Sequence, residues 1–149
     1  MSIIYFRIKR WSAILLVLIF FIFDRALKEI YFYFNHHKNL FYFFDSGLFL
    51  NRNFVFGMIE PSCLMMIVLA VFFIFLIWQA INFWQKNSWV NFFAFSLIIA
   101  GAFSNILDRF FYEAVVDYWQ MRNLNIFNFS DIMIIGGLII FIINFLKKK

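Results

Sequence analysis

Four long apolar stretches, at about residues 11 to 34, 63 to 84, 88 to 107 and 126 to 146, alternate with shorter polar segments along the chain. A helix rising 1.5 Å per residue needs about 20 apolar residues to cross a hydrocarbon layer ~30 Å thick. Each stretch is near that length, whereas a water-soluble core would show shorter amphipathic patches. The pattern therefore predicts an all-α membrane protein of four transmembrane helices. We expect a single integral-membrane domain over residues 1–149, because no internal repeat, Gly/Ser linker or low-complexity tail interrupts it. The first stretch has the basic start and apolar run of a secretory signal, but no small-residue cleavage site follows, so it reads as an uncleaved helix. Pro61, the one proline, stands just ahead of the second stretch, where a helix start tolerates it.

Between the first two stretches, runs at 40–44, 48–51 and 54–56 are short and β-prone, and Asp45-Ser46-Gly47 and Arg52-Asn53 separate them. They predict a small exterior β-sheet cradle between helices 1 and 2, lying at the membrane surface. The segment 109–125 carries Val115-Val116-Asp117 and then a polar turn, and predicts a short re-entry into the fourth helix.

Charge adds the orientation. Arg7, Lys9 and Arg10 precede the first stretch, Lys86 lies between the second and third, and Lys147, Lys148 and Lys149 follow the fourth. The positive-inside rule then predicts cytoplasmic N- and C-termini. All eight acidic residues fall in 24–62 and 108–131, on the opposite side. At 65% hydrophobic and 14% charged, the chain is far from the ~45–50% apolar and ~25% charged of a soluble domain. The net charge of +5 does not indicate a nucleic-acid partner, since the bases sit at segment ends rather than on a continuous face. The 26 Phe residues read as compositional bias rather than as a cofactor cage. Cys63 is the only cysteine, so neither an internal disulfide nor a paired-thiol zinc site is available.

Ionisable groups at membrane depth cost at least ~2.5 kcal/mol each, so they persist where they are paired, wet or useful. Asp24 and Lys28 close the first stretch, Asn105, Asp108 and Arg109 close the third, and Asn128 and Asp131 open the fourth. Antiparallel packing brings all three groups to one exterior layer, with Asp117 in the connection between the last two. A Ser-His-Asp triad is disfavoured because His36 and His37 are adjacent in a polar loop and no serine has a nucleophile-elbow context. Cys63 at a helix entrance has no evident base. What remains is a carboxylate pair, Asp117 and Asp131, which can share one proton in a site of reduced dielectric, one member polarising a carbonyl while the other activates water. Structural readings stand beside this one: Asn128 as an N-cap with Asp131 on the helix dipole, and Asp24/Lys28 and Asn105/Arg109 as ordinary i,i+4 pairs.

The same residues resemble the motifs of the lipoprotein signal peptidase (signal peptidase II) family, in order along the whole chain. Asp24-Arg25-Ala26-Leu27-Lys28 resembles its Asp-x-x-x-Lys, and Asn51-Arg52-Asn53-Phe54-Val55-Phe56-Gly57 its Asn-x-Gly-x-Ala-(aromatic)-Gly block. The segment from Gly101 to Arg109 with Val115-Val116-Asp117-Tyr118 resembles Gly-Ala-x-Gly-Asn-x-x-Asp-Arg and Val-Val-Asp-Phe, and Phe127-Asn128-Phe129-Ser130-Asp131 resembles Phe-Asn-x-Ala-Asp. The resemblance implies Asp117 and Asp131 as a catalytic aspartyl dyad, with Asp24, Lys28, Asn51, Gly57, Asn105, Asp108, Arg109 and Asn128 supporting the site and substrate. It implies four transmembrane helices, an exterior sheet cradle and a short exterior helix, with no metal or cofactor. The implied partner is a diacylglyceryl-modified prolipoprotein, cut just before its lipidated cysteine by a multi-pass monomer in the bacterial cytoplasmic (inner) membrane, among membrane lipids and with its site at the exterior, periplasmic interface. Asn53, Phe54, Val55, Ser104 and Ser130 depart from the pattern, and the spacing from Asp117 to Asp131 is short. Two other classes fit the acids: a small channel or assembly subunit with a wet polar cavity, and a lipid-handling transferase that needs one acid.

Overall fold

The computed structural model describes residues 2–34, 38–41, 44–52, 63–121 and 126–147. Among the described residues four helices carry the fold: α1 (Ser2–Phe34), α2 (Cys63–Gln85), α3 (Trp89–Tyr112) and α4 (Phe129–Leu146). Between them run β1 (Lys38–Phe41), β2 (Phe44–Asn51), β3 (Val115–Met121) and β4 (Ile126–Phe127). Three helices, α2, α3 and α4, are long and apolar enough to cross a membrane. The apolar run of α1 is bounded by Lys9-Arg10 and broken by Asp24-Arg25.

Helix α3 is the hub, packing on α4, α2 and α1. Glycine permits its closest approach to α4. A Cβ on Gly101 would lie 2.5 Å from the Ser130 carbonyl oxygen, and one on Gly137 would lie 2.5 Å from that of Ala94. Small residues at such crossings are how helices gain packing where lipid offers no hydrophobic drive. Further down the same interface the Asn144 amide donates to Asn91 Oδ1 at 2.6 Å. Leu76, Ala80, Phe95 and Ile98 form one buried apolar cluster, and Val17, Leu97 and Met133 another. Phe72, Ile74, Trp78, Ile135 and Ile142 point outward, as side chains facing hydrocarbon would. At the opposite end from the acids, the Arg10 guanidinium bonds the Trp84 carbonyl at 2.8 Å and the Asn87 side chain, and stacks 4.5 Å from the Trp84 ring.

The sheet differs from the expected one. Its order is β1-β2-β3-β4, all antiparallel, so the connection between α3 and α4 supplies two of its four strands. The predicted cradle between helices 1 and 2 is therefore half of a sheet completed by 115–127, and the predicted short re-entry is a hairpin. The cause lies in β3: residues 115–118 are buried without alternation, as in a strand covered on both faces, so no period-two signal marks it. The register sets Asn51 opposite Val115 and Phe49 opposite Asp117, past an irregularity between Ser46 and Phe49. Pairing of Ile126 and Phe127 with β3 also delays the start of α4 to Phe129. Helix α3 continues beyond residue 107 to Tyr112 and ends where Glu113 turns left-handed at φ 55°, its N–H bonding the Arg109 carbonyl at 3.1 Å. The run at 54–56 and Gly57 lie outside the described residues, and no separate short exterior helix occurs among those described.

Candidate active site

The polar cluster is assembled from five elements, α1, β2, α3, β3 and α4, at the end of the bundle beneath the sheet. One turn of α1 places Asp24 and Lys28 on the same face, both essentially without exposed surface. Asp24 Oδ2 accepts from the hydroxyls of Ser104 and Ser130, each at 2.5 Å, and Oδ1 accepts from the Ser130 N–H at 2.9 Å and the Tyr118 hydroxyl at 3.4 Å. The Lys28 ammonium lies 2.6 Å from Asp108 Oδ2 and 3.4 Å from Asp24 Oδ2, and donates to Asn105 Oδ1 at 2.9 Å. Asp108 also takes the Arg25 guanidinium on Oδ1 and the Val116 N–H on Oδ2 at 3.2 Å. Two acids are thus matched by two bases in a buried layer, the condition under which charge is tolerated there.

Asp117 and Asp131 are held differently. Asp117 accepts from the Asn128 amide at 2.6 Å and the Asn51 amide at 3.2 Å. Asp131 accepts from the Asn105 amide at 3.0 Å and from the Asn128 backbone N–H at 3.2 Å, while its own N–H donates to Asn128 Oδ1 at 3.0 Å. The last two bonds form a capping box at the start of α4. Asn128 therefore touches both acids, and its amide also donates to Asn105 Oδ1 at 3.2 Å. Arg109, whose guanidinium donates to the Asn105 carbonyl at 3.2 Å, lies within electrostatic range of Asp117, Asp108 and Asp131. Burial first, and the nearby Asp131 charge second, push the Asp117 carboxyl up to about 7, against the lowering effect of its Asn51 and Asn128 bonds and of Lys28. Asp117 is almost wholly buried, whereas Asp131 keeps partial exposure.

Of the residues singled out from sequence, Asp24, Lys28, Asn51, Asn105, Asp108, Arg109, Asp117, Asn128 and Asp131 share this one cluster, and Gly57 lies outside the described residues. The i,i+4 and capping readings hold too: Asp24 faces Lys28, Arg109 bonds Asn105, and Asn128 caps α4. The ion pairs of Asp108 run to Arg25 and Lys28 on α1. Sequence reasoning missed Arg25 and Tyr118 as members of the cluster. Tyr118 accepts the Phe129 N–H at 2.9 Å while donating to Asp24, so one phenol ties β3, α4 and α1 together. The signal that could have found it is general: a fully buried tyrosine needs a polar partner for its hydroxyl.

Fold and site together define a multi-pass membrane protein with a carboxylate-rich cluster at one end of its helices. A family model described as signal peptidase (SPase) II matches residues 16–147. A lipoprotein signal peptidase of Fusobacterium nucleatum is 34% identical over 114 residues, spanning 72% of this chain and 68% of that protein. Its counterpart in Clostridium tetani is 31% identical over 111 residues, 71% of each chain. One in Caldicellulosiruptor bescii is 30% identical over 98 residues, covering 66% of this chain and 64% of the relative. In fold, the chain is similar to a bacterial membrane enzyme solved by the in meso method at 2.3 Å, with a TM-score of 0.79, 24% identity and coverage of 91% of this chain and 88% of that one. The chain belongs to the signal peptidase II family.

Proposed function

We propose that this protein is an aspartic endopeptidase that removes the signal peptide from diacylglyceryl-modified prolipoproteins by cutting just before the lipid-carrying cysteine. The observation that carries the reading is that carboxyls from two separate elements, Asp117 on β3 and Asp131 on α4, are tied to the same Asn128, with Asp117 poised near neutrality. Asp117, the more buried member, holds the shared proton and donates it to the scissile carbonyl oxygen. Asp131, ionised and partly exposed, takes a proton from water as the water oxygen attacks the carbonyl carbon. Asp131 then passes that proton to the amide nitrogen as the C–N bond breaks. Asp117 recovers its own from the tetrahedral hydroxyl, leaving a carboxylic acid and an amine. The pair works only while it holds one proton, so its competence ends as Asp117 ionises above about 7.

In this reading α1 is a fourth membrane span, its charges tolerated because Asp24, Arg25 and Lys28 are paired within the bundle. The chain forms one integral-membrane domain in the bacterial inner membrane, with both termini cytoplasmic and the dyad at the outer face, where a signal-peptide helix and its lipidated cysteine meet the interface. Replacing Asp117 or Asp131 by Asn leaves a near-isosteric side chain that cannot shuttle the proton. Each variant should insert into membranes normally yet lose about a hundred- to ten-thousandfold in cleavage of a diacylglyceryl lipobox peptide, the contribution of a positioned acid or base. Normal processing by either variant would defeat the aspartic mechanism.

A further inference from the structure

Ser104 and Ser130 depart from the motif pattern that the chain resembles, which has glycine and alanine at these positions. Both are fully buried. They converge from different helices on the same pair of charges. Each donates to Asp24 Oδ2 at 2.5 Å, and each accepts from the Lys28 ammonium, at 3.3 Å for Ser104 and 3.1 Å for Ser130. A hydroxyl has one proton to give, and here it is directed at the carboxylate, which leaves the oxygen lone pairs toward the ammonium. With Asp108 at 2.6 Å and Asn105 at 2.9 Å, the third ammonium proton is shared between the two serine oxygens, which thus bridge Lys28 to Asp24 beside their longer direct contact at 3.4 Å.

The consequence travels one residue further. Lys28 donates to Asn105 Oδ1 at 2.9 Å, the shorter and charged partner beside the Asn128 amide at 3.2 Å, and the two donors set which end of the amide faces the acid: the Asn105 NH₂ group then points at Asp131 Oδ1. A flipped amide would set its oxygen against the carboxylate. Without the hydroxyls, Asp24 Oδ2 keeps only the ammonium from this group and draws it closer, away from Asn105. We infer that Ser104 and Ser130 are a pair of positioning residues that hold Lys28 on Asn105 and so orient Asn105 toward Asp131. The other charged or titratable groups facing this assembly are Arg25, Asp108, Arg109, Asp117 and Tyr118, and none of them contacts either serine hydroxyl in the bonds described above. The catalytic consequence rests on the proposed dyad; the geometric part does not.

Two readouts separate those parts. In the full-length protein, Ser104→Ala/Ser130→Ala should lower kcat on a diacylglyceryl lipobox peptide by about tenfold, as expected for lost hydrogen bonds to charged groups, with KM unchanged. In an Asn105→Ala background the same two substitutions should add little, because the route to Asp131 is already cut. The second readout needs no turnover: the side-chain amide protons of Asn105, held on both ends in the wild type, should exchange with solvent faster in the double variant. Unchanged Asn105 exchange, a wild-type kcat, or an equal loss in the Asn105→Ala background would each overturn the inference. If the wild-type chain cuts no lipobox peptide while Asn105 exchange still responds, the positioning pair stands and the peptidase reading falls.

Discussion

At Asn128 one side chain answers two separate demands. Its Oδ1 caps α4 by accepting the Asp131 N–H, and its Nδ2 gives Asp117 a donor at 2.6 Å. Both functions need an amide: a carboxylate could cap but would face Asp117 with like charge, and a hydroxyl is too short to span both. Asn128→Ala should therefore lose about 1 kcal/mol as a missing cap and leave a buried carboxyl without its shortest donor. Thermal unfolding in detergent should show the first effect, and a drop of at least about tenfold in peptide cleavage the second. An unchanged melting temperature with full activity would show that the amide is dispensable. This residue was legible in the sequence as a cap and, separately, as part of a motif. Its bridging of two acids was not, because nothing local reveals that β3 passes beside the start of α4.

Among the elements, α3 and α4 set how close the site's two halves can come. Gly101 packs against the carbonyl of Ser130, one residue before Asp131, so a side chain there pushes the first turn of α4 outward. Gly137 is equally tight against Ala94, whereas a Cβ on Gly136 would meet nothing within 4 Å. Gly101→Ala and Gly137→Ala should each destabilise the protein by about 1–3 kcal/mol, and Gly136→Ala should be neutral or slightly stabilising. Comparing the three melting temperatures checks this, and equal tolerance at all three positions would contradict the close packing. Helices α2, α3 and α4 were readable because the thickness of a bilayer sets the length of an apolar run able to cross it. Half of the sheet was not, since β3 is buried on both faces and pairs with a strand more than 60 residues earlier in the chain.

For the whole molecule, the topology and the site depend on one another. In the proposed topology every acid falls toward one side of the membrane, where the described members of the cluster meet, so one charge distribution would both orient the chain and build its chemistry. Asp24 and Asp108 are matched by Lys28 and Arg25 and supply the frame, while in the proposed mechanism Asp117 and Asp131 are the pair that shares a proton. That division of labour among four acids could not be read from their spacing, because Arg25 and Lys28 reach Asp108 across helices in addition to their i,i+4 partners along α1. The most direct test is to titrate the Asp117 carboxyl by carbon NMR in nanodiscs, in the wild type and in Asp131→Asn. A shared proton predicts a wild-type midpoint near 7 that falls when the Asp131 charge is removed. An ordinary carboxylate midpoint in the wild type, or one indifferent to Asp131, would contradict it.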